Sequence, residues 1–242
     1  MLSDTEARNA LIVALDCDRV RALELTDLLA DHARWVKVGM TLFYRYGPGI
    51  VQEMKDRGFN VFLDLKVHDI PFQVHGAVRS ASLSGADIIS IHALGGSHMI
   101  ASGRSGAAEA AEIRGVGEEG RTKLVAISIL TSMNEEDLSS IGVRDTVASE
   151  VERLAKLSYN AGADGLVCSA QEASSMREIL GPEALIITPG IRPRGAEKGD
   201  QQRTATPASA IAAGASKLVI GRPITEAKDP CATFEEIVKE LI

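Results

Sequence analysis

Eight short apolar runs, each followed by a segment with helical character, restrict the fold of this chain more than any other feature. The runs lie at 11–16, 35–39, 60–66, 88–93, 123–130, 165–169, 185–191 and 217–222. Their length and β-rich composition predict strands. The segments between and after them predict helices at 18–32, 41–57, 71–84, 97–113, 146–161, 170–180, 206–213 and 231–241. Such alternation indicates βα units that build a parallel sheet.

Three similar tripeptides mark places where a helix gives way to a strand. Gly-Ala-Asp occurs at 85–87 and at 162–164, and Gly-Ala-Ser occurs at 214–216. Glycine commonly ends a helix, so each tripeptide predicts a helix C-terminus immediately before the next strand. The chain therefore carries a weak internal repeat of the αβ turn.

Eight βα units within 242 residues predict an α/β protein with one (β/α)8 TIM barrel that spans 1–242 as a single domain. No Pro/Ser-rich linker or low-complexity tract divides the sequence. An open doubly wound sheet is the structural alternative. The first βα turn, Asp16-Cys17-Asp18-Arg19, lacks the Gly-rich loop of dinucleotide-binding sheets, and the chain has no Walker A sequence. The barrel is therefore the favoured fold.

Composition narrows the class of protein further. A net charge of -7 argues against broad binding to nucleic acid or to an anionic membrane, so any anion site must be local. The start of the chain does not resemble a signal peptide, and no run of 18 apolar residues occurs, which predicts a cytoplasmic protein without a membrane span. Cys17, Cys168 and Cys231 are odd in number and widely spaced, so neither a disulfide framework nor a structural zinc site is expected.

The run Asp-Leu-Lys-Val-His-Asp at 64–69 places acids and a base directly after a buried strand. Alternation along a strand predicts that Asp64 and Lys66 point the same way, with Asp69 beyond the strand end. Burial of such charges costs free energy unless they are paired. Ionisable groups with perturbed pKa values are common at catalytic sites. A purely structural ion-pair network remains the alternative interpretation.

In a barrel, functional groups gather at the C-terminal ends of the strands. Asp16, Lys37, Asp64 and Lys66 would form a chain of alternating charge there. Neighbouring carboxylates raise the pKa of a lysine where pairing outweighs desolvation, and a lysine held protonated is a proton donor. The alternative for Lys37 is a position beside Trp35 on the barrel exterior.

The last two strands carry features typical of a phosphate site. The Gly190 turn follows the seventh strand and Gly221-Arg222 follows the eighth, where many barrels bind phosphate through backbone N–H groups and an arginine. The polar segment 192–203 is longer than a usual βα loop, and its position favours a lid over a solvated insertion. His68 and His92 have no metal-ligand spacing, so hydrogen-bonded structural roles are favoured over acid–base roles.

Several motifs occur in a fixed order along nearly the whole chain. They are the Asp16 strand end, Val36-Lys37-Val38-Gly39, Asp64-Leu65-Lys66-Val67-His68-Asp69-Ile70-Pro71, Leu130-Thr131-Ser132-Met133, Thr188-Pro189-Gly190-Ile191-Arg192-Pro193, Gly199-Asp200-Gln201 and Ile220-Gly221-Arg222-Pro223-Ile224. In these motifs the sequence resembles the orotidine 5′-phosphate decarboxylase family, and in particular its bacterial members. The acid–lysine block alone is shared with sugar-phosphate relatives, whereas the complete ordered set is highly specific.

The resemblance implies a set of site residues. A charged tetrad would consist of Lys37, Asp64, Lys66 and Asp69, with Asp69 contributed by the partner in a homodimer with shared active sites. Substrate contacts would come from Asp16 and Lys37 at the ribose, Thr131 at the pyrimidine, Arg192, Gln201, Gly221 and Arg222 at the phosphate, and Ile70, Gln73 and Pro189. Gln73 departs from the family pattern, which commonly has threonine there, so its amide would reach the ribose differently.

The resemblance also implies a reaction, the decarboxylation of orotidine 5′-monophosphate to UMP and CO2 in pyrimidine biosynthesis, with neither metal nor organic cofactor. Lys66 would stabilise negative charge that develops at C6 and then protonate that carbon. Two alternatives remain. One is a sugar-phosphate decarboxylase or aldolase, which usually needs a divalent metal. The other is a non-catalytic barrel that binds a phosphate ligand, although such a protein has no reason to bury so many charges at one point.

Overall fold

The computed structural model describes residues 1–193 and 204–242. Its strands are β1 (Leu11–Ala14), β2 (Trp35–Gly39), β3 (Asn60–Val67), β4 (Ile88–His92), β5 (Lys123–Ile127), β6 (Gly165–Val167), β7 (Leu185–Thr188) and β8 (Lys217–Ile220). They form a closed barrel in chain order, and β1 pairs with β8 in parallel. The predicted barrel is confirmed, and closure excludes the open doubly wound sheet.

Helices follow the strands around the barrel. They are α1 (Asp4–Ala10), α2 (Arg19–Leu29), α3 (Met40–Tyr46), α4 (Gly49–Asp56), α5 (Pro71–Leu83), α6 (Gly96–Arg114), α7 (Glu135–Ser140), α8 (Val147–Asn160), α9 (Ala173–Leu180), α10 (Pro207–Ala212), α11 (Arg222–Thr225) and α12 (Pro230–Leu241), with a 3₁₀ turn at Ala93–Gly95. In the part of the chain that the structure describes, no helix is long and apolar enough to cross a membrane.

The predicted helix at 41–57 is two helices. Gly47, with φ of 66°, ends α3, and Pro48 caps the start of α4. Proline cannot continue a helix because it lacks the N–H and its ring clashes with the preceding turn. The short helices α1, α7 and α11 were not predicted. The sequence carried a signal for α1, because Ser3 and Glu6 form the capping box that the Ser-x-x-Glu spacing allows.

Several strands end earlier than their apolar runs suggest. Strands β1, β5 and β7 stop two or three residues before the predicted ends at 16, 130 and 191. Residues beyond these ends, such as Leu15, Ile129 and Ile191, are still buried although they lie outside the ladder. The apolar run therefore reports burial, which continues into the βα loops beyond the regular strands.

The apolar core has two layers, one inside the barrel and one between the barrel and its helices. The inner layer consists of Ile12, Ala14, Phe62, Ile88, Val125, Ile187 and Val219. The outer layer joins the opposite faces of the strands to the surrounding helices. The inner layer fills the barrel interior, so a ligand has room only at the C-terminal mouth above it.

The three repeated tripeptides share one structural role. Their glycines have φ of 95°, 99° and 100°, a conformation that suits glycine at a helix end. The third residue of each tripeptide accepts a hydrogen bond from the backbone N–H of a neighbouring strand. The bonds run from Val61 to Asp87 (2.7 Å), from Leu124 to Asp164 (2.7 Å) and from Ile186 to Ser216 (3.1 Å). The repeat therefore ties each returning chain to the strand beside it.

Helix α1 closes the N-terminal end of the barrel. The Trp35 indole N–H donates to Asn9 Oδ1 at 2.7 Å, and the Lys217 ammonium donates to Asn9 O at 2.8 Å. The same ammonium lies 3.9 Å from the centre of the Trp35 ring. Trp35 thus packs at the base of the barrel, at the end opposite the mouth.

Candidate active site

The C-terminal mouth of the barrel contains a cavity of about 610 Å³. Most of the residues predicted for the site line it: Asp16, Lys37, Asp64, Lys66, Thr131, Pro189, Arg192, Gly221 and Arg222. Phe62, Val219 and Ala14 from the inner core also line this cavity. The space therefore combines an apolar floor with charged walls, as ligand pockets commonly do.

Lys37 points from β2 into this mouth and is only 8% exposed. Its Nζ donates to Asp16 Oδ1 at 2.8 Å and lies 3.7 Å from Asp64 Oδ2. The exterior position considered for Lys37 is therefore wrong, because the alternation of β2 turns it toward the barrel axis. Gly39 leaves room for this pair, since a Cβ there would lie 3.0 Å from Asp16 Oδ1 and 3.2 Å from Lys37 Nζ.

Asp64 is as enclosed as Lys37, at 8% exposure. Its Oδ2 accepts from Lys66 Nζ at 2.7 Å, and its Oδ1 accepts from Ser90 Oγ at 2.7 Å. Burial by itself raises the pKa of Asp64, but the ammonium groups of Lys37 and Lys66 outweigh it and hold the pKa below its usual value. Asp64 is accordingly a carboxylate at neutral pH.

Lys66 stands where β3 departs from regular pairing. Leu63 pairs with Ile89 and Val67 pairs with Ile91, so three residues of β3 face the single residue Ser90 of β4. Lys66 adopts φ of 53° and, among the described residues, is the one non-glycine with positive φ. Its side chain remains 28% exposed at the edge of the cavity. The ammonium is thus paired with Asp64 and still accessible to a ligand.

These four side chains form a line of alternating charge: Asp16, Lys37, Asp64 and Lys66. Low polarity around buried ions strengthens their mutual attraction. Because the line borders an open cavity and ends in an accessible ammonium, its charges can act on a bound ligand. This placement favours a chemical role over the purely structural network that the sequence left open.

The other side of the cavity is suited to an anion. Arg192 and Arg222 line it beside the Gly190 and Gly221 backbones, and Arg21 joins them from α2. Arg21 was not predicted. Its guanidinium donates to Thr225 O at 3.1 Å, which ties the first turn of α2 to the end of α11. Thr225 is 204 residues away along the chain, so the residues around Arg21 in the sequence do not indicate this position.

Some predicted residues are not brought into the cavity of their own chain. Asp69, Ile70 and Gln73 do not line it. Asp69 Oδ1 accepts from the Ile70 N–H at 2.6 Å, and across residues 1–193 and 204–242 the Asp69 carboxylate forms no ion pair. Gln201 lies outside the described residues. The same holds for the proposed lid at 192–203 beyond Pro193.

The two histidines beside the mouth form a pair. The rings of His68 and His92 lie 5.4 Å apart between centres. His92 Nδ1 is buried and has no hydrogen-bond partner within the described residues, so the structural role expected for His92 stays a prediction. Burial and, to a smaller extent, the neighbouring His68 lower the pKa of His92.

Ser90 contacts both Asp64 and Lys66 and was not predicted from the sequence. A polar residue within an otherwise apolar strand was the signal that could have indicated it.

Comparison with known proteins identifies the family. The model of the orotidine 5′-phosphate decarboxylase / HUMPS family matches residues 9–237. The chain belongs to this family. An orotidine 5′-phosphate decarboxylase of Vibrio cholerae is 46% identical over 233 residues, which cover 96% of this chain and 98% of the relative. One from Chromohalobacter salexigens is 46% identical over 232 residues, covering 96% and 95%.

Solved structures agree with this assignment. The crystal structure of orotidine 5′-phosphate decarboxylase from Lactobacillus acidophilus has a TM-score of 0.82 and 37% identity to this chain, and the match covers 96% of this chain and 98% of that one. An uncharacterised conserved protein from Geobacillus kaustophilus has the same TM-score, with 33% identity over 96% of this chain and 100% of that chain. Family and fold therefore agree over nearly the full length.

Proposed function

We infer that this protein decarboxylates orotidine 5′-phosphate to UMP and CO2, the last step of de novo pyrimidine synthesis. The observation that carries this function is the charge line that ends at Lys66 in the barrel mouth. It occurs in a chain that is 46% identical to bacterial proteins named orotidine 5′-phosphate decarboxylase. We propose that residues 1–242 form a single catalytic domain.

The two sides of the cavity support one orientation for the bound nucleotide. The phosphate binds at Arg192 and Arg222 with the Gly221 backbone, because arginine pairs well with phosphate oxygens. The ribose hydroxyls contact Asp16 and Lys37, whose side chains already lie 2.8 Å apart. The pyrimidine then rests over the apolar floor near Thr131 and Pro189, with C6 toward Lys66.

The chemical step breaks the bond between C6 and the carboxylate carbon and leaves its electron pair on C6. The Lys66 ammonium stabilises this charge and then transfers a proton to C6, which gives UMP, CO2 and a neutral lysine that solvent reprotonates. Asp64 faces the departing carboxylate while its 2.7 Å bond fixes the Lys66 ammonium. No cofactor is required, because the stabilising charge belongs to the protein.

The active unit is a homodimer in which Asp69 completes the site of the partner. Two features support this proposal. Asp69 lies off its own cavity and has no ion-pair partner among the residues that the structure describes. The adjoining residues, Ile70 at the N-cap of α5 and Phe72 in its first turn, are 63% and 81% exposed. Large exposed apolar side chains close together are typical of an interface. Ile70 and Gln73, at the start of α5, would then contact substrate in the partner's site.

One assay tests the function directly. Purified protein with excess EDTA is mixed with orotidine 5′-phosphate, and the ultraviolet absorbance is followed while UMP is identified by chromatography. We expect stoichiometric conversion to UMP. A metal-dependent sugar-phosphate lyase would leave the nucleotide unchanged, and a binding protein would bind UMP without turnover. Either result would overturn the proposed function.

A further inference from the structure

Ser90 occupies a special place in the barrel. It lies in β4 directly opposite the irregular part of β3, and its side chain is fully buried. Three residues of β3, from Asp64 to Lys66, face it. In a regular parallel ladder, one residue cannot pair with the backbone groups of three facing residues. At least one N–H of this part of β3 therefore needs another acceptor.

The Ser90 hydroxyl supplies that acceptor and makes a second bond. The Lys66 backbone N–H donates to Ser90 Oγ at 3.0 Å, and Ser90 Oγ donates to Asp64 Oδ1 at 2.7 Å. The directions are fixed, because an N–H can only donate and an ionised carboxylate can only accept. One hydroxyl therefore connects the backbone of the lysine to the side chain of the aspartate.

This connection bears on the conformation of Lys66. A positive φ of 53° is unfavourable for a residue with a Cβ and persists only where the surroundings hold it. The bond from the Lys66 N–H is one such restraint, and the bond to Asp64 Oδ1 leaves Oδ2 oriented toward the Lys66 ammonium. Both ends of the Lys66–Asp64 pair are thus held by the same buried oxygen.

We propose that Ser90 is a positioning residue for the decarboxylation, and that it holds the Lys66 ammonium at the reacting carbon through the Lys66 backbone and the Asp64 carboxylate. Ser90 does not line the cavity, so it acts through these two residues without touching substrate. The inference rests on the proposed function and assigns to it a residue outside the charged tetrad.

The test compares three substitutions at this site. Ser90→Ala removes the hydroxyl, Ser90→Cys removes it with little change of volume, and Ser90→Thr retains it. We expect kcat to fall about 10- to 100-fold in the alanine and cysteine variants, the effect of losing one hydrogen bond to a charged group. KM and the affinity for UMP should stay within about threefold of wild type, because ground-state contacts are retained.

A matched control separates positioning from general loss of stability. Ser158 is also buried, and its hydroxyl donates to Leu154 O at 2.7 Å within α8, away from the cavity. Ser158→Ala should lower the melting temperature without changing kcat. The Lys66 amide provides a second readout, since its hydrogen exchange should accelerate in Ser90→Ala and remain slow in Ser158→Ala.

The outcomes are decisive in both directions. A folded alanine or cysteine variant with kcat within about threefold of wild type would overturn the proposal. A threonine variant with wild-type stability and the low kcat of the alanine variant would also overturn it, because a retained hydroxyl would then have no effect. If Ser90→Ala fails to fold, Ser90→Cys decides the question. Wild-type protein without decarboxylase activity would instead refute the proposed function, while the Lys66 exchange measurement would still test the backbone restraint.

Discussion

The Nζ of Lys66 lies 2.7 Å from Oδ2 of Asp64, and Lys66 makes this contact from a left-handed backbone conformation with φ of 53°. In a regular strand, side chains two residues apart simply project in parallel. Here the register between β3 and β4 shifts between Leu63 and Val67, the stretch that contains both residues. An ion pair and a strained backbone therefore coincide at the residue proposed as proton donor, as is often found at functional sites.

The Lys66→Ala variant should lose nearly all turnover while it still binds UMP. In the proposed mechanism the ammonium acts mainly on charge that develops in the transition state, so its removal should lower kcat more than binding. Turnover is measured with orotidine 5′-phosphate, and UMP affinity is measured by calorimetry. A change confined to KM would contradict the proposed role of Lys66.

The Arg222→Ala variant should weaken phosphate binding and lower kcat/KM about 10- to 100-fold, since a charge-assisted contact contributes about 1.5–3 kcal/mol. Arg222 lines the cavity, and in the proposed binding mode it contacts the phosphate, remote from C6. The effect should depend on the phosphate, so the same variant is also assayed with orotidine. Equal loss toward both substrates would rule out Arg222 as a phosphate ligand.

Mixing two inactive variants tests the shared site. Lys66→Ala and Asp69→Ala proteins are unfolded together and refolded, and random pairing makes about half of the dimers hybrid. In each hybrid, one of the two sites regains both native residues, so activity should recover to about a quarter of wild type.

If Asp69 served its own chain, every hybrid site would keep one lesion and mixing would restore nothing. Differential tags on the two variants verify that hybrids form. Refolded wild-type protein gives the reference activity for the same procedure.

Glu235 should stabilise the fold in a pH-dependent way. It accepts from Arg8 at 2.7 and 2.8 Å and contacts His32 at 2.6 Å, and these partners lower the pKa of Glu235 to about 2. Because the folded pKa lies below the ordinary value, this stabilisation is complete above about pH 4.5 and is lost as the pH falls toward 2. After allowance for solvent screening, Glu235→Gln should cost about 1–2 kcal/mol at pH 7.

Urea unfolding of Glu235→Gln and wild type between pH 7 and pH 2 measures this dependence. The free-energy difference should shrink as the pH falls. Glu152→Gln is the control, because Glu152 and Lys156 form an exposed pair at 2.6 Å that should contribute only a few tenths of a kcal/mol. A Glu235 difference that stayed constant down to pH 2 would exclude this ion pair as its cause.

The charge line illustrates how far a sequence predicts a site. Asp64 and Lys66 could be placed together because they follow a buried strand and are two residues apart. Ser90 and Arg21 could not be found in this way. Ser90 is 24 residues from Lys66, and Arg21 is 204 residues from Thr225, so only the closed barrel brings each to its partner.

The sequence by itself determined the order of eight strands and their helices, the burial of the apolar runs, and the acids and lysines at the strand ends. These features depend on local periodicity and residue type, which the chain carries directly. The tertiary structure alone decided where the ladders stop, that three residues of β3 face Ser90, and that Lys66 takes a left-handed conformation. Each of these depends on register between neighbouring strands, and register is set by packing and hydrogen bonds between residues distant in sequence.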